Sequence, residues 1–174
     1  MSIITKRGDD GFTDAMYGGR LPKDAPEVVA CGDVDELNAA LGMLRVSGLS
    51  SELVEEIDTI QSHLVALMGL LSVPAAKREE YLADGFPSVT QAEVDWLESI
   101  AVEMPTKFNG WVRPGASGSV PAAWMDMART VCRRAERSAW QVPEVSSEAC
   151  QFLNRLSDIL WLWARKLEAA ASGE

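Results

Sequence analysis

Residues 50–74 read SSELVEEIDTIQSHLVALMGLLSVP, and this stretch decides the fold. Leu53, Ile57, Ile60, Leu64, Leu67 and Leu71 recur at three- and four-residue steps, the spacing that lines up apolar side chains on one face of an α-helix. Ser50 or Ser51 stands where a helix cap belongs, Glu52 and Glu55 lie near the positive end of the helix dipole, and Pro74 closes the run.

The same period continues on both sides. Upstream, Val34, Leu37, Leu41 and Leu44 predict a helix that begins at Pro26 and ends near Gly48. Downstream, residues 75–87 read as a loop. Thr90 and Glu93 then form a capping box ahead of Val94, Leu97, Ile100 and Met104, with Pro105 as the stop. A glycine-rich segment, 109–119, precedes a helix over about 121–141 that Pro143 ends. The last helix starts near Ser146 or Ser147 and carries Phe152, Leu156, Ile159, Leu160, Trp163 and Leu167. No run alternates with period two long enough to predict a strand. Residues 1–25, with Gly8, Gly11, Gly18 and Gly19, read as an irregular segment or a tight hairpin. The expected fold is all-α: one domain over 1–174, with segment 1–25 ahead of an up-and-down bundle of about five helices, 26–171.

Composition narrows the function. Sixteen basic against 26 acidic residues leave a formal charge of -10, which argues against nucleic acid or an anionic membrane as the main partner. The longest mostly apolar stretch, 64–76, contains Gly69, Ser72 and Pro74 and falls short of the roughly 20 residues a bilayer span needs. Cys31, Cys132 and Cys150 give neither a disulfide framework nor a paired-cysteine motif, and the N-terminus lacks the apolar core of a signal peptide, so a cytoplasmic location is expected. His63 is the one histidine and has no Glu-x-x-His partner, so metal ligation and histidine-based nucleophilic catalysis are poorly supplied. No phosphate-binding Walker loop or dinucleotide fingerprint is present.

The concentrated feature is 129–137, RTVCRRAER. On a helix, Arg129, Arg133 and Arg137 share one face with Arg134 beside them. Their planar forks suit phosphate oxygens, and Glu136 alone cannot neutralise four arginines. The plainer reading is a solvated face laced with ion pairs. Asn154 and Asp158 lie one turn apart on the polar side of the last helix, where hydrogen bonds to neighbouring helices would also account for them. Asp33, Asp35 and Glu36 read plainly as a solvated helix face. The glycine-rich segment 5–11, TKRGDDG, could present Lys6 and backbone N–H groups to a phosphate.

Five segments in order, TKRGDDG (5–11), PKD (22–24), GDVDELN (32–38), RRAER (133–137) and FLNRLSD (152–158), resemble the successive motifs of PduO-type ATP:cob(I)alamin adenosyltransferases. The resemblance spans residue 3 to about residue 165. It implies a homotrimer of five-helix bundles with active sites between adjacent subunits. It assigns Thr5, Lys6, Arg7, Gly8, Thr13, Asp14 and Lys23 to the ATP-ordering segment of one subunit. Arg133, Arg134, Glu136, Arg137 and Asn154 of its neighbour would complete the ATP site. Asp35 and Arg129 match a salt bridge across the interface near the corrin, which with Arg133 makes them the expected catalytic set. Trp111, in WVRPGA (111–116) where the family carries a phenylalanine loop, and Trp161 are the expected corrinoid contacts. No protein ligand for a metal is assigned.

The implied reaction is attack of cob(I)alamin on the 5′ carbon of ATP, giving adenosylcobalamin and triphosphate, with magnesium accompanying ATP. A cobalamin reductase or an adenosylcobalamin-dependent enzyme would be a partner. Two alternatives stay open: an all-α nucleotide pyrophosphatase using clustered carboxylates, and a non-catalytic corrinoid carrier.

Overall fold

Among the described residues, five long helices and one short one make up most of the structure, and their antiparallel pairing follows from side chains that meet across them. The computed structural model describes residues 4–102, 104 and 112–173. A hairpin of β1 (Phe12–Asp14) and β2 (Arg20–Pro22) is followed by α1 (Pro26–Arg45), α2 (Ser51–Leu71), α3 (Arg78–Ala83), α4 (Gln91–Val102), α5 (Val120–Ala139) and α6 (Ser147–Ser172).

The caps of α2, α4 and α6 are those the sequence specifies, and Ser119 adds one at α5. Ser50, Ser119 and Ser146 each accept a hydrogen bond from the backbone N–H three residues on, at 3.4, 3.3 and 3.2 Å. That satisfies a donor the helix itself leaves open. Glu93 accepts from both the Thr90 N–H (2.7 Å) and its hydroxyl (2.6 Å), closing the capping box. Burial pushes the Glu93 carboxyl up, but the Thr90 hydroxyl and amide outweigh it and leave it lowered. Pro26 opens α1, where its missing N–H costs nothing.

Helix α1 packs on α2 and α5, and α6 packs on α5 and α4. Along α1 and α2, Cys31 meets the Met68 carbonyl, Gln61 donates to the Asn38 carbonyl, and Arg45 pairs with Asp58 at the far end. Residue numbers rise on one helix as they fall on the other, so the two run antiparallel. Helices α5 and α6 do the same, from Asp126–Arg165 at one end to Glu136–Asn154 at the other. The up-and-down order is thus as expected. Val34, Leu37, Leu41, Leu44, Ile57, Ile60, Leu64, Leu67 and Leu156 are fully buried in one core, each contributing about 1.5–3 kcal/mol of transfer free energy. His63 sits at the edge of that core, its ring edge-on to Trp96 and Phe152.

Residues 75–87 depart from the expected loop. They hold a 3-10 turn, Ala75–Lys77, and then α3. A six-residue helix is too short to show a periodic stripe, and its order comes from what it buries. Tyr81 is 2% exposed and packs with Leu70 and Val73. Gly69 on α2 admits its hydroxyl, since a Cβ at that position would lie 2.4 Å from the Tyr81 Oη. Arg78 reaches from α3 to the Pro143 carbonyl in the α5–α6 link. The N-terminal segment resolves into the hairpin alternative, with Phe12, Thr13 and Asp14 opposite Pro22, Leu21 and Arg20. Among the described residues no single helix is long and apolar enough to cross a membrane.

Candidate active site

The hairpin is an exposed structure held by charge. Arg20 grips Asp10 with both terminal nitrogens, at 2.7 and 2.8 Å, and also donates to the carbonyls of Arg7 (2.5 Å) and Phe12 (3.4 Å). The Arg20 hydrogen bond, with help from the Phe12 N–H, lowers the Asp10 carboxyl to about 2. Arg7 donates to Asp14 at 2.9 Å, and Arg20 lies 3.7 Å from the same carboxylate. Lys6 has a φ of 58° and Gly11 a φ of 84°, and these left-handed turns fold residues 6–11 back so that the Lys23 N–H reaches the Gly11 carbonyl at 2.9 Å. The Lys23 ammonium lies over Gly8, close enough that a Cβ there would stand 3.0 Å from it. Thr5 accepts from the Arg7 N–H at 3.4 Å. All seven residues expected in the ATP-ordering segment therefore fall in this one folded loop and hairpin.

Two contacts dock the hairpin on the bundle. The Met16 N–H donates to the Ser72 carbonyl at the end of α2 (3.3 Å), and the Tyr17 hydroxyl donates to Asp84 just after α3 (2.5 Å). The Asp84 hydrogen bond raises the Tyr17 phenol to about 12. Tyr17 also meets Tyr81 and Phe86 edge-on, and those two rings stack at 4.9 Å. Between the hairpin and α1 lies a cavity of about 160 Å³, lined by Thr13, Asp14, Leu21, Glu27, Cys31 and Ser72 among others.

The arginine row of α5 divides into two kinds. Arg129 and Arg134 are taken by carboxylates of the same chain. Arg134 reaches α1, where it pairs with Asp33 (3.2 Å) and with Glu36, and Ser138 donates to the other Asp33 oxygen at 2.5 Å. Asp33 is therefore half-buried in a contact with α5, while Glu36 pairs with Arg134 at the exposed rim and Asp35 stays on the solvated face expected of it. The partner of Asp33 lies about a hundred residues away, where no local pattern reveals it. Arg129 donates to Asp126, one turn back on its own helix, at 3.1 Å. Arg133 and Arg137 are exposed and carry no ion pair among the described residues, and Arg137 donates to the Arg133 carbonyl at 2.9 Å. Glu136 is held by Asn154 across to α6 (3.1 Å), and Asn154 in turn accepts from Arg155, which pairs with Glu98 on α4. Arg133, Arg134, Glu136 and Arg137 thus share the last two turns of α5, with Arg134 tied to α1 and Glu136 tied to Asn154 on α6.

Asp35 is exposed and makes no ion pair with Arg129 within the chain. Trp161 lies half-buried on α6 under the Arg165 guanidinium, 5.6 Å from its ring centre. Trp111 lies outside the described residues. Val120, Ala123, Trp124 and Met127 line an open apolar cleft of about 300 Å³ on the first half of α5. No group of three His, Cys, Asp or Glu side chains able to hold a metal occurs among the described residues. Cys132 and Cys150 are buried, and desolvation raises both thiols, Cys150 to about 11, so neither is a ready nucleophile.

Sequence reasoning passed over Arg20, Asp126 and Arg165. Arg20 follows Gly18-Gly19 at the start of β2, a turn signal that could have drawn notice. Asp126 stands out only because Ala122, Met125 and Ala128 around it are all core positions.

Residues 3–167 match the family model described as cobalamin adenosyltransferase. A cobalamin adenosyltransferase from Cupriavidus metallidurans is 39% identical, covering 98% of this chain and 90% of the relative. A corrinoid adenosyltransferase from Mycobacterium leprae is 35% identical over 94% of this chain and 89% of its own. Among solved structures, a variant of the PduO-type ATP:corrinoid adenosyltransferase from Lactobacillus reuteri, complexed with cobalamin and ATP, superposes with a TM-score of 0.82 at 30% identity, covering 99% of this chain and 96% of that one. With a match along nearly its whole length in sequence and in fold, the chain belongs to the cobalamin adenosyltransferase family.

Proposed function

We propose that this protein transfers the 5′-deoxyadenosyl group of ATP to cob(I)alamin, releasing adenosylcobalamin and triphosphate. Family membership carries the reading, together with a structural likeness to a relative complexed with cobalamin and ATP. In the reaction the cobalt lone pair attacks C5′, a Co–C bond forms, the C5′–O5′ bond breaks, and its electrons leave on the triphosphate. No proton moves at the reacting centre, so no general base is needed. That agrees with a single histidine packed against rings and with thiols held neutral. The work left to the protein is positioning and charge stabilisation of the leaving group.

The division of the arginine row supports a division of that work. Arg133 and Arg137, free of ion pairs among the described residues, are the side chains available to a triphosphate. Arg134, Glu136 and Asn154 frame them through ties to α1 and α6. Thr5, Lys6, Arg7, Gly8, Thr13, Asp14 and Lys23 form the other half of the ATP site. Among the described residues no hydrogen bond or ion pair joins the hairpin to Arg133 or Arg137, which supports a site completed between subunits. On this reading the protein is a homotrimer, Asp35 of one subunit pairs with Arg129 of the next, and Trp111 and Trp161 face the corrin. The whole chain acts as one domain.

Magnesium fits as an ion carried by ATP, since it commonly keeps waters and substrate phosphates as ligands. No residue is assigned to it and no step runs through it. A reducing compartment, the cytoplasm, suits both Co(I) and the three free thiols. The electron would come from a cobalamin reductase, and an adenosylcobalamin-dependent enzyme would take the product.

Anaerobic incubation with ATP, magnesium and chemically reduced cobalamin tests the reading. The Co(I) spectrum should decay in step with triphosphate release. Phosphate products without any corrinoid would favour a hydrolase, and cobalamin binding without conversion would favour a carrier.

A further inference from the structure

We infer that Asp126 is a positioning residue for the two side chains proposed to face the corrin, Arg129 and Trp161; the inference rests on that proposed placement. Asp126 lies on α5 with its side chain 4% exposed, at a turn where its neighbours are core. Its Oδ1 accepts from the Arg129 Nε at 3.1 Å, and its Oδ2 accepts from an Arg165 terminal nitrogen at 2.5 Å. Arg165, on α6 and 6% exposed, lies 2.8 Å through its Nε from Glu168 and covers the Trp161 ring at 5.6 Å. Asp126, Arg165 and Glu168 are buried and Arg129 is partly exposed at the edge of the set, and the single carboxylate of Asp126 touches both arginines.

An ion pair of this kind is a poor device for stability. Desolvation offsets most of its Coulomb energy, and well-packed apolar side chains often hold two helices as well or better. Orientation is what the polar set adds. A guanidinium has five N–H donors in one plane. Asp126 uses the Nε edge of Arg129, which fixes that plane and leaves the terminal nitrogens for a carboxylate of another chain. Arg165, hydrogen-bonded by Asp126 and close to the charge of Glu168, lies in turn over the face of Trp161, where cation–π attraction restrains the indole. A simple one-turn helix pair accounts for the Asp126–Arg129 contact. It does not account for the convergence of Arg165 from another helix on the second oxygen, nor for the burial.

The test compares Asp126→Asn, Arg129→Ala and their combination in the full-length protein, by steady-state adenosylation with kcat and the KM for ATP measured separately. Asp126→Asn should lower kcat about tenfold and leave the KM for ATP within twofold. Arg129→Ala should lower kcat at least as much, and the combination should lose no more than Arg129→Ala alone, because one residue acts through the other. Unchanged kcat in a folded Asp126→Asn protein, or losses that multiply, would overturn the inference. Unchanged kcat in Arg129→Ala would remove Arg129 from the site and overturn the inference with it. The wild-type protein's own turnover of cob(I)alamin judges the proposed reaction separately. Should Asp126→Asn fail to fold, Arg165→Lys keeps the charge and loses the planar fork over Trp161. It should lower kcat at least threefold with its melting temperature within a few degrees of wild type, and full kcat would overturn the proposal.

Discussion

The hairpin and the bundle are held by opposite means. In the bundle, side chains such as Leu64 and Leu156 are fully buried, and helix pairs close over one continuous core. In the hairpin, Phe12 and Met16 stay exposed, and order comes from Arg20, Asp10, Arg7 and Asp14 together with the docking of Tyr17 on Asp84. Packing gives the bundle a cooperative stability that a single surface charge scarcely alters. Charge-assisted hydrogen bonds give the hairpin a defined shape that few residues maintain and that salt or pH can loosen. A rigid frame thus presents a segment whose own order is local.

The largest expected effect is on the bundle side. Leu64→Ala removes a fully buried side chain of α2 and should destabilise the protein by about 2–5 kcal/mol. Thermal melting followed by far-ultraviolet circular dichroism checks it. A loss below about 1 kcal/mol would mean that the core does not set the stability.

Next comes the open arginine pair on α5. Arg133→Lys keeps charge and helix propensity but loses the bidentate fork. It should lower kcat/KM for ATP about ten- to a hundred-fold, at about 1.4 kcal/mol per factor of ten, with the melting temperature unchanged. Wild-type kcat/KM would return Arg133 to a solvated helix face.

A smaller effect separates the hairpin from the bundle by pH. The folded value of Asp10, about 2, lies below its ordinary 3.8. Its pair with Arg20 therefore contributes fully above about pH 4, and that contribution is lost as the pH falls through 2. The Asp10 carboxyl carbon, followed by NMR, should titrate near 2 in the wild type and move back toward 3.8 in Arg20→Ala. Identical titrations in the two proteins would show that Arg20 does not organise the loop.

The smallest effect is at the seam between the two regions. Tyr17→Phe keeps the ring contacts with Tyr81 and Phe86 and loses only the hydrogen bond to Asp84. The KM for ATP should rise no more than about threefold with kcat unchanged. In a spectrophotometric titration the Tyr17 ionisation near pH 12 should disappear, leaving that of Tyr81, which burial also raises. A tenfold rise in KM would make this seam a main determinant of hairpin placement.

Much of this was legible in the chain itself. Stripes at three- and four-residue steps, serine caps ahead of α2 and α6, and the Thr90–Glu93 box fix the long helices, because caps and amphipathic faces are local consequences of residue order. The crowding of arginines over 129–137 was visible for the same reason. What each arginine does was not. Arg134 faces Asp33 and Glu36, Arg129 faces Asp126, and Arg133 remains open only because α1 and α6 approach α5 at particular faces. Helix α3 was hidden too, since six residues carry no period and Tyr81 finds its place through Gly69, on another helix. Sequence determined the long helices and the inventory of charge. Tertiary structure decided which charges are spent on one another and which are left for a ligand, because an ion pair depends on the distance between helices and not on the distance along the chain.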